Sequence, residues 1–186
     1  MAQEYFLSVH DIVDILLRTG HLDTRIFNQS SRLEGTRLHQ FHQSQQCDDY
    51  HSEVPLKDTF QYKDFIFHVS GKADGLITHS DGSYTIDEIK TTVADLDEFL
   101  KDHSGWHLGQ ARFYAYRFCH QNNIKLIEIQ LTYIKQTDYH IQKRIVNTYS
   151  FSELDQFVKG IIFQYYEYLS KIRKRKIERD ESRKDL

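Results

Sequence analysis

The chain has 186 residues, 39% of them hydrophobic and 27% charged, with one proline and eight glycines. That is enough apolar material for one domain with a real core, and too little proline and glycine for long disordered linkers. The net charge of −3 excludes a broad basic platform for tight stand-alone duplex binding; residues 171–186 hold eight Lys/Arg against four Asp/Glu, and this local +4 leaves −7 on residues 1–170.

Apolar residues recur with helical spacing near 8–18 and 31–46, and a strand-rich stretch follows from 53 to 91. Within it, Lys72 to Thr78 and residues 83–91 read as two strands joined by a turn at Asp81-Gly82, a hairpin signal. A short helix near 94–101 comes next, then a long one near 104–122 with Ser104 as its N-cap. The segments LIEIQLTYI and HIQKRIVNTYSF read as two more strands. Ser152 to about Lys176 reads as a final helix, capped by Ser152 with Glu153 and Asp155 in its first turn. Residues 1–170 are expected to form a single domain, and 171–186 a charged helix end or linker. The KIRKRK run has three readings: a solvated helix end, a phosphate-binding arm, or the start of a linker into another domain. Cations at a helix C-terminus are favourable in any case.

In the strand 83–91, Tyr84, Ile86, Glu88 and Lys90 share one face, and Thr85, Asp87 and Ile89 the other. Glu88 and Lys90 therefore point into the same space, and pairing with the preceding strand brings Asp74 beside Glu88. Two carboxylates with a lysine two residues beyond the second suit phosphodiester hydrolysis. The acids hold a hard divalent cation, and the compact ammonium orients a water and offsets developing charge. The same alternation also occurs on solvated strand faces. Asp87 reads as a surface or helix-facing acid, a reading that fails if the register slips by one. Arg32, Arg37, Lys72, Lys90 and Arg112 are candidates for a narrow basic lining.

Two helices carry further candidates. His39, in EGTRLHQ, is either a ligand or a helix-surface histidine, one of eleven histidines in the chain. Gln110 and Tyr114, in GQARFYAY, are one turn apart and share a helix face. Gln110 needs a polar partner on a helix that looks mostly buried. Tyr114 either flanks the site or packs in an aromatic core with Trp106, Phe113, Tyr116 and Phe118. His103 and His107 are spaced for a zinc pair, but a helix starting at Ser104 leaves His103 outside it and His107 at the mouth of the cleft.

The order helix His39, Asp74, Glu88-x-Lys90, Gln110-x-x-x-Tyr114 resembles the RecB-like branch of the PD-(D/E)XK nucleases. That branch includes the CRISPR-associated RecB-like exonucleases and the nuclease domain at the N-terminus of some DinG/XPD-like bacterial helicases. The resemblance runs from SVHDIVDILLRTGHLDTR through LEGTRLH, GKADG, IDEIKTT and GQARFYAY to the closing helix. It implies an α/β, restriction-endonuclease-like core with a central mixed β-sheet flanked by helices. It also implies that His39, Asp74 and Glu88 bind metal, with the Ile89 carbonyl as a further ligand and Lys90 as the catalytic lysine. Gln110 and Tyr114 would contact the DNA strand or steady the catalytic residues, with Arg37 as a further DNA-binding or supporting residue.

The expected cofactor is Mg²⁺ or Mn²⁺, with the histidine ligand favouring Mn²⁺. Cys47 and Cys119 are too few for the four-cysteine iron–sulfur cluster common among CRISPR-associated relatives, so none is expected. Two unpaired cysteines, with no apolar signal or membrane-spanning run, lead to the expectation of a cytoplasmic protein with no membrane partner. The expected function is a metal-dependent deoxyribonuclease, a single-strand DNA exonuclease in repair, recombination or helicase-coupled processing. Its expected partners are single-stranded DNA and a helicase domain or subunit. The alternative is an inactive nucleic-acid-binding or scaffolding module of a helicase, and an RNA-directed enzyme is a third reading.

Overall fold

The computed structural model describes residues 2–17, 29–47 and 49–182, without the side chains of 29–32 and 102–104. In chain order the elements are β1 (Gln3–Ser8), α1 (Val9–Leu17), α2 (Gln29–Ser44), β2 (Tyr50–Tyr62), β3 (Phe65–Thr78), β4 (Tyr84–Thr92), α3 (Leu96–Asn122), β5 (Leu126–Lys135), β6 (Ile141–Ser150) and α4 (Phe151–Ser182). The expected helices and strands are present, with four differences. Strand β1 precedes the first helix. The two middle helices are one continuous α3, with Ser104 in its interior. Helix α4 begins one residue earlier than expected and continues to Ser182, taking most of the charged tail with it. The cap of α4 is Ser150 and not Ser152.

The caps explain the boundaries. Ser8 Oγ donates to Asp11 Oδ2 at 2.7 Å while the Asp11 amide donates back to Ser8 Oγ at 3.0 Å, a reciprocal box that starts α1. Ser150 and Glu153 repeat the arrangement at α4, with 2.6 Å between Ser150 Oγ and Glu153 Oε2. At α3 the Asp95 side chain accepts from the Asp97 and Glu98 amides, and Asn123 closes the helix in the left-handed region at φ 56°. The β3–β4 hairpin turns where expected, through Gly82 at φ 82°.

The sheet is mixed and runs β1-β3-β4-β5-β6, with β2 along the remaining edge of β3. Strand β1 is parallel to β3 and β4 is parallel to β5; the other pairings are antiparallel. Helices α1, α3 and α4 cover one face through a single core. It includes Ile12 and Val13 from α1, Phe65 and Phe67 from β3, Ile86 from β4, Ile129 and Tyr133 from β5, and Leu154 and Val158 from α4. Each large apolar side chain buried this way contributes roughly 1.5–3 kcal/mol of transfer free energy. Helix α2 lies on the opposite face over a separate small cluster of Leu38, Ile89 and Ile134. Cys47 is exposed and Cys119 buried, and both are free thiols; burial pushes the Cys119 thiol up to about 11. Among the described residues, no helix is long and apolar enough to cross a membrane.

Candidate active site

Strand β3 is shared along one edge by two partners. Strand β1 pairs with Phe65–Ser70 and β4 with Gly75–Thr78, so the edge of residues 71–74 lies in a fork between them. The register Gly75↔Asp87 sets Asp74 opposite Glu88 at the mouth of that fork. Ala73 and Leu76 are three apart yet both enter the main core, so the two-residue alternation slips at Asp74. On β2, Ser52 pairs with Gly75 and Val54 with Ala73, while Glu53 between them sits at φ 59°. Out of the regular pleat, the Asp74 carboxylate reaches across the fork, and its Oδ2 accepts the Ile89 amide at 2.8 Å. The N–H and C=O of one strand residue point to the same edge, so the Ile89 carbonyl also faces the fork.

Side chains from two helices close the fork. A Cβ on Gly71 would lie 2.6 Å from Tyr114 Cε1, and one on Gly75 would lie 2.0 Å from the Tyr50 hydroxyl, so both glycines of GKADG allow an aromatic ring to approach. Tyr114 is buried and its hydroxyl bonds the Lys72 backbone amide, a donor on the edge of β3 that faces the fork, opposite the edge paired with β2. Burial, then the charges of Glu88 and Asp74, push the Tyr114 phenol upward. Tyr114 thus packs in the core while its hydroxyl lies at the fork.

Glu88 and Lys90 meet as the alternation requires. Lys90 Nζ is 2.6 Å from Glu88 Oε1 and donates to Gln110 Oε1 at 2.8 Å. Gln110 is almost wholly buried, so the polar partner it needs is the lysine ammonium. The ammonium also lies 5.8 Å from the centre of the Trp106 ring. Burial pushes the Glu88 carboxyl up to about 7, against the pull of Lys90 and with the added push of Asp74. Among the described residues, Glu88 Oε2 is buried with no hydrogen-bond partner. Helix α2 brings His39 Nδ1 to 3.6 Å from Asp74 Oδ1. One turn later, Gln43 Nε2 donates to the Asp74 carbonyl at 2.8 Å.

A divalent cation suits this donor chemistry: hard carboxylate oxygens, one imidazole, and an oxygen left unsatisfied in a buried place. Among the described residues, no three His, Cys, Asp or Glu side chains already stand together as a metal-holding group. Asp74 and Glu88 are the carboxylates that could hold such an ion, with His39 beside Asp74.

No protein-family model matches the sequence, and no curated protein matches it. The chain shares its fold with SSO0001. That crystal structure superposes with a TM-score of 0.54 at 17% identity, over 88% of this chain and 78% of the other. A second match, Scheffersomyces stipitis Rai1 in complex with (3'-NADP)+ and calcium ion, has a TM-score of 0.25 at 11% identity and covers 57% of this chain and 27% of that one.

The opposite face of β4 holds a network that its sequence only half announces. Asp87 faces helix α2 but is wholly buried, and so is not a surface acid. Its Oδ1 accepts from Thr132 Oγ1 at 2.6 Å and Gln130 Nε2 at 3.1 Å, and its Oδ2 from Tyr50 Oη at 3.1 Å. His42 Nε2 lies 3.7 Å from the same Oδ2. Burial raises the Asp87 carboxyl, but His42, Thr132 and Gln130 together outweigh it and hold the group below its ordinary value. Tyr50, His42 and Gln43 are thus participants that the motif reading missed. For Gln43 a signal existed: it is one helical turn beyond His39.

Several expected residues stay away from the cluster. The Arg37 side chain is 77% exposed and pairs with Glu34 at 3.6 Å, two residues from His39 and so on another side of α2. Lys72 pairs with Glu53. Arg112 donates to Tyr149 Oη at 3.2 Å and lies over the Phe157 ring, on the α4 side of α3. The Arg32 side chain lies outside the described residues. Of the expected basic lining, Lys90 alone among the described side chains enters the site. His107 is buried, with Nδ1 3.2 Å from Tyr133 Oη, and does not line a cleft mouth. The backbone of His103 is helical within α3, contrary to a start at Ser104, and its side chain lies outside the described residues.

Proposed function

We propose that this chain is a metal-dependent nuclease with a PD-(D/E)XK-type core, cleaving phosphodiester bonds of single-stranded DNA from an end. The observation that carries the reading is the fork itself, where a β-hairpin sets Asp74 opposite Glu88, with Lys90 on Glu88 and a buried Glu88 oxygen that has no partner among the described residues. A bound Mg²⁺ or Mn²⁺ would supply phosphate charge neutralisation and a lowered pKa for water. Asp74 and Glu88 would hold it, with His39 and the Ile89 carbonyl as further donors. Lys90 holds its ammonium beside the Glu88 carboxylate and on Gln110, where it would offset charge that grows on a phosphate in the transition state. Trp106 lies over that ammonium, and the buried Tyr133 is the register partner of Lys90 on β5. The fold shared with SSO0001 is compatible with this reading and carries no activity with it.

The test is cleavage of end-labelled single- and double-stranded DNA with Mn²⁺, Mg²⁺ or EDTA, beside Asp74→Ala and Lys90→Ala proteins. Metal-dependent shortening lost in both variants supports the nuclease, and the label position gives its polarity. Clean wild-type protein that cuts neither DNA overturns the reading as stated and leaves a scaffolding role.

A further inference from the structure

Asp74 is held at two points by one helix. Its carboxylate faces His39, and its carbonyl accepts Gln43 Nε2 at 2.8 Å. The carbonyl lies where β3 slips out of phase and where Glu53, opposite on β2, is in the left-handed region, so regular ladder geometry fails at this residue. Gln43 Nε2 also lies 3.4 Å from Glu53 Oε1, the side chain that pairs with Lys72. One amide therefore ties together the three residues of the irregularity: Asp74, Glu53 and, through it, Lys72.

We infer that Gln43 is a positioning residue: by fixing the Asp74 carbonyl it aims the Asp74 carboxylate across the fork at Ile89 and at the ion site. A side-chain amide at this point does the work of the missing ladder bond, and the aim of Asp74 depends on α2 as much as on β3. The metal part of this inference rests on the proposed function; the aiming part does not.

The experiment uses the full chain as wild type, Gln43→Met and Gln45→Met. Methionine keeps the length of glutamine without the donor, and Gln45 is an exposed control in the turn just beyond the C-terminus of α2. Two readouts are taken, both without substrate. Hydrogen exchange of the Ile89 amide in metal-free protein reports its bond to Asp74 Oδ2, and Gln43→Met is expected to speed it by about tenfold relative to the remaining β4 amides. Titration calorimetry with Mn²⁺ is expected to show an affinity about tenfold or more weaker in Gln43→Met, as for other groups that orient a ligand. Gln45→Met is expected to match wild type in both.

Unchanged Ile89 exchange in Gln43→Met overturns the inference, whatever the metal does. Faster Ile89 exchange with no Mn²⁺ bound by wild type supports the aiming role and overturns the metal reading instead. A general rise in exchange across β4 and β5 means Gln43 is only structural, and overturns the inference as well.

Discussion

Glu88→Gln is expected to make the metal-free protein more stable and, under the proposed function, to remove cleavage. The Glu88 side chain is buried, one of its oxygens lacks a partner among the described residues, and burial drives its carboxyl up from an ordinary 4.5 to about 7. A raised carboxyl means that the folded state binds more protons than the unfolded chain between those two values, so wild-type stability falls as pH rises through that window. Glutamine is close to isosteric and keeps one acceptor for Lys90. It exchanges a buried charge for a neutral amide, and a charged group costs more to leave unsatisfied than a neutral one. The expected gain at pH 8 is on the order of 1 kcal/mol, or about 2–4 °C in melting temperature for a chain of this size. At pH 5 the wild-type carboxyl is largely protonated in the folded state, and the gap between the two proteins should nearly close. The assay is thermal unfolding of both proteins in EDTA from pH 5 to 8. A Glu88→Gln protein that melts at or below wild type at pH 8, or a gap that stays constant across the range, would refute the reasoning. Saturating Mn²⁺ should then reverse the order, by stabilising wild type and not the variant.

Under the proposed function the ammonium would act on transition-state charge, so Lys90→Ala should lower cleavage by at least about a hundredfold while Mn²⁺ still binds in calorimetry; a wild-type rate removes Lys90 from the mechanism. Tyr114→Phe strips the acceptor from the Lys72 amide inside the fork and should cost about 1–3 kcal/mol in urea unfolding. An unshifted urea midpoint would show that the hydroxyl does not satisfy that amide. Gly75→Ala places a methyl on the Tyr50 hydroxyl and should cost about 1–3 kcal/mol through overpacking and the displaced bond to Asp87. Removing the ring as well, in Gly75→Ala with Tyr50→Ala, should cost less than the sum of the single changes; strict additivity would mean that the two positions do not meet.

The hairpin and its acids were legible because their determinants are local. Asp81-Gly82 sets the turn, the turn sets the register, and period two then places Glu88 and Lys90 together with Asp74 opposite. Gln110 was legible for a related reason, as a polar residue on a helix with too little water to satisfy it. Strand β1 was hidden because helix periodicity begins at its last residue and its pairing partner is some sixty positions away. The continuity of α3 through Gly105 was masked by that glycine, although nothing lies within 4 Å of a Cβ there and Asp95 supplies the cap well upstream. The Ser150 cap had a local signal, since Ser150 and Glu153 have capping-box spacing and Ser152 does not pair with Glu153 that way. Asp87 could be sent to the helix side of the strand by alternation alone. Its full burial depends on Tyr50, Gln130, Thr132 and His42, which come from three other elements. Arg37 failed because a basic residue near a motif says nothing about which side of the helix it occupies.

Among the described residues, helix α2 packs on the sheet through a small apolar cluster, its own Leu38 with Ile89 and Ile134, whereas the helices across the sheet share one extensive core. The two faces of the sheet therefore differ in how firmly they are held. Excursions that lift α2 must break the small cluster, the His42–Asp87 contact, the ties of His39 and Gln43 to Asp74 and the Tyr139–Glu34 bond, but need not open the main core, so they lie below global unfolding on the free-energy scale. Each such excursion takes His39 and Gln43 away from Asp74 while the hairpin, Glu88 and Lys90 stay in place. The proposed site would then have an assembled and a disassembled form within one native fold, and anything that presses on the outer surface of α2 would shift the ratio between them.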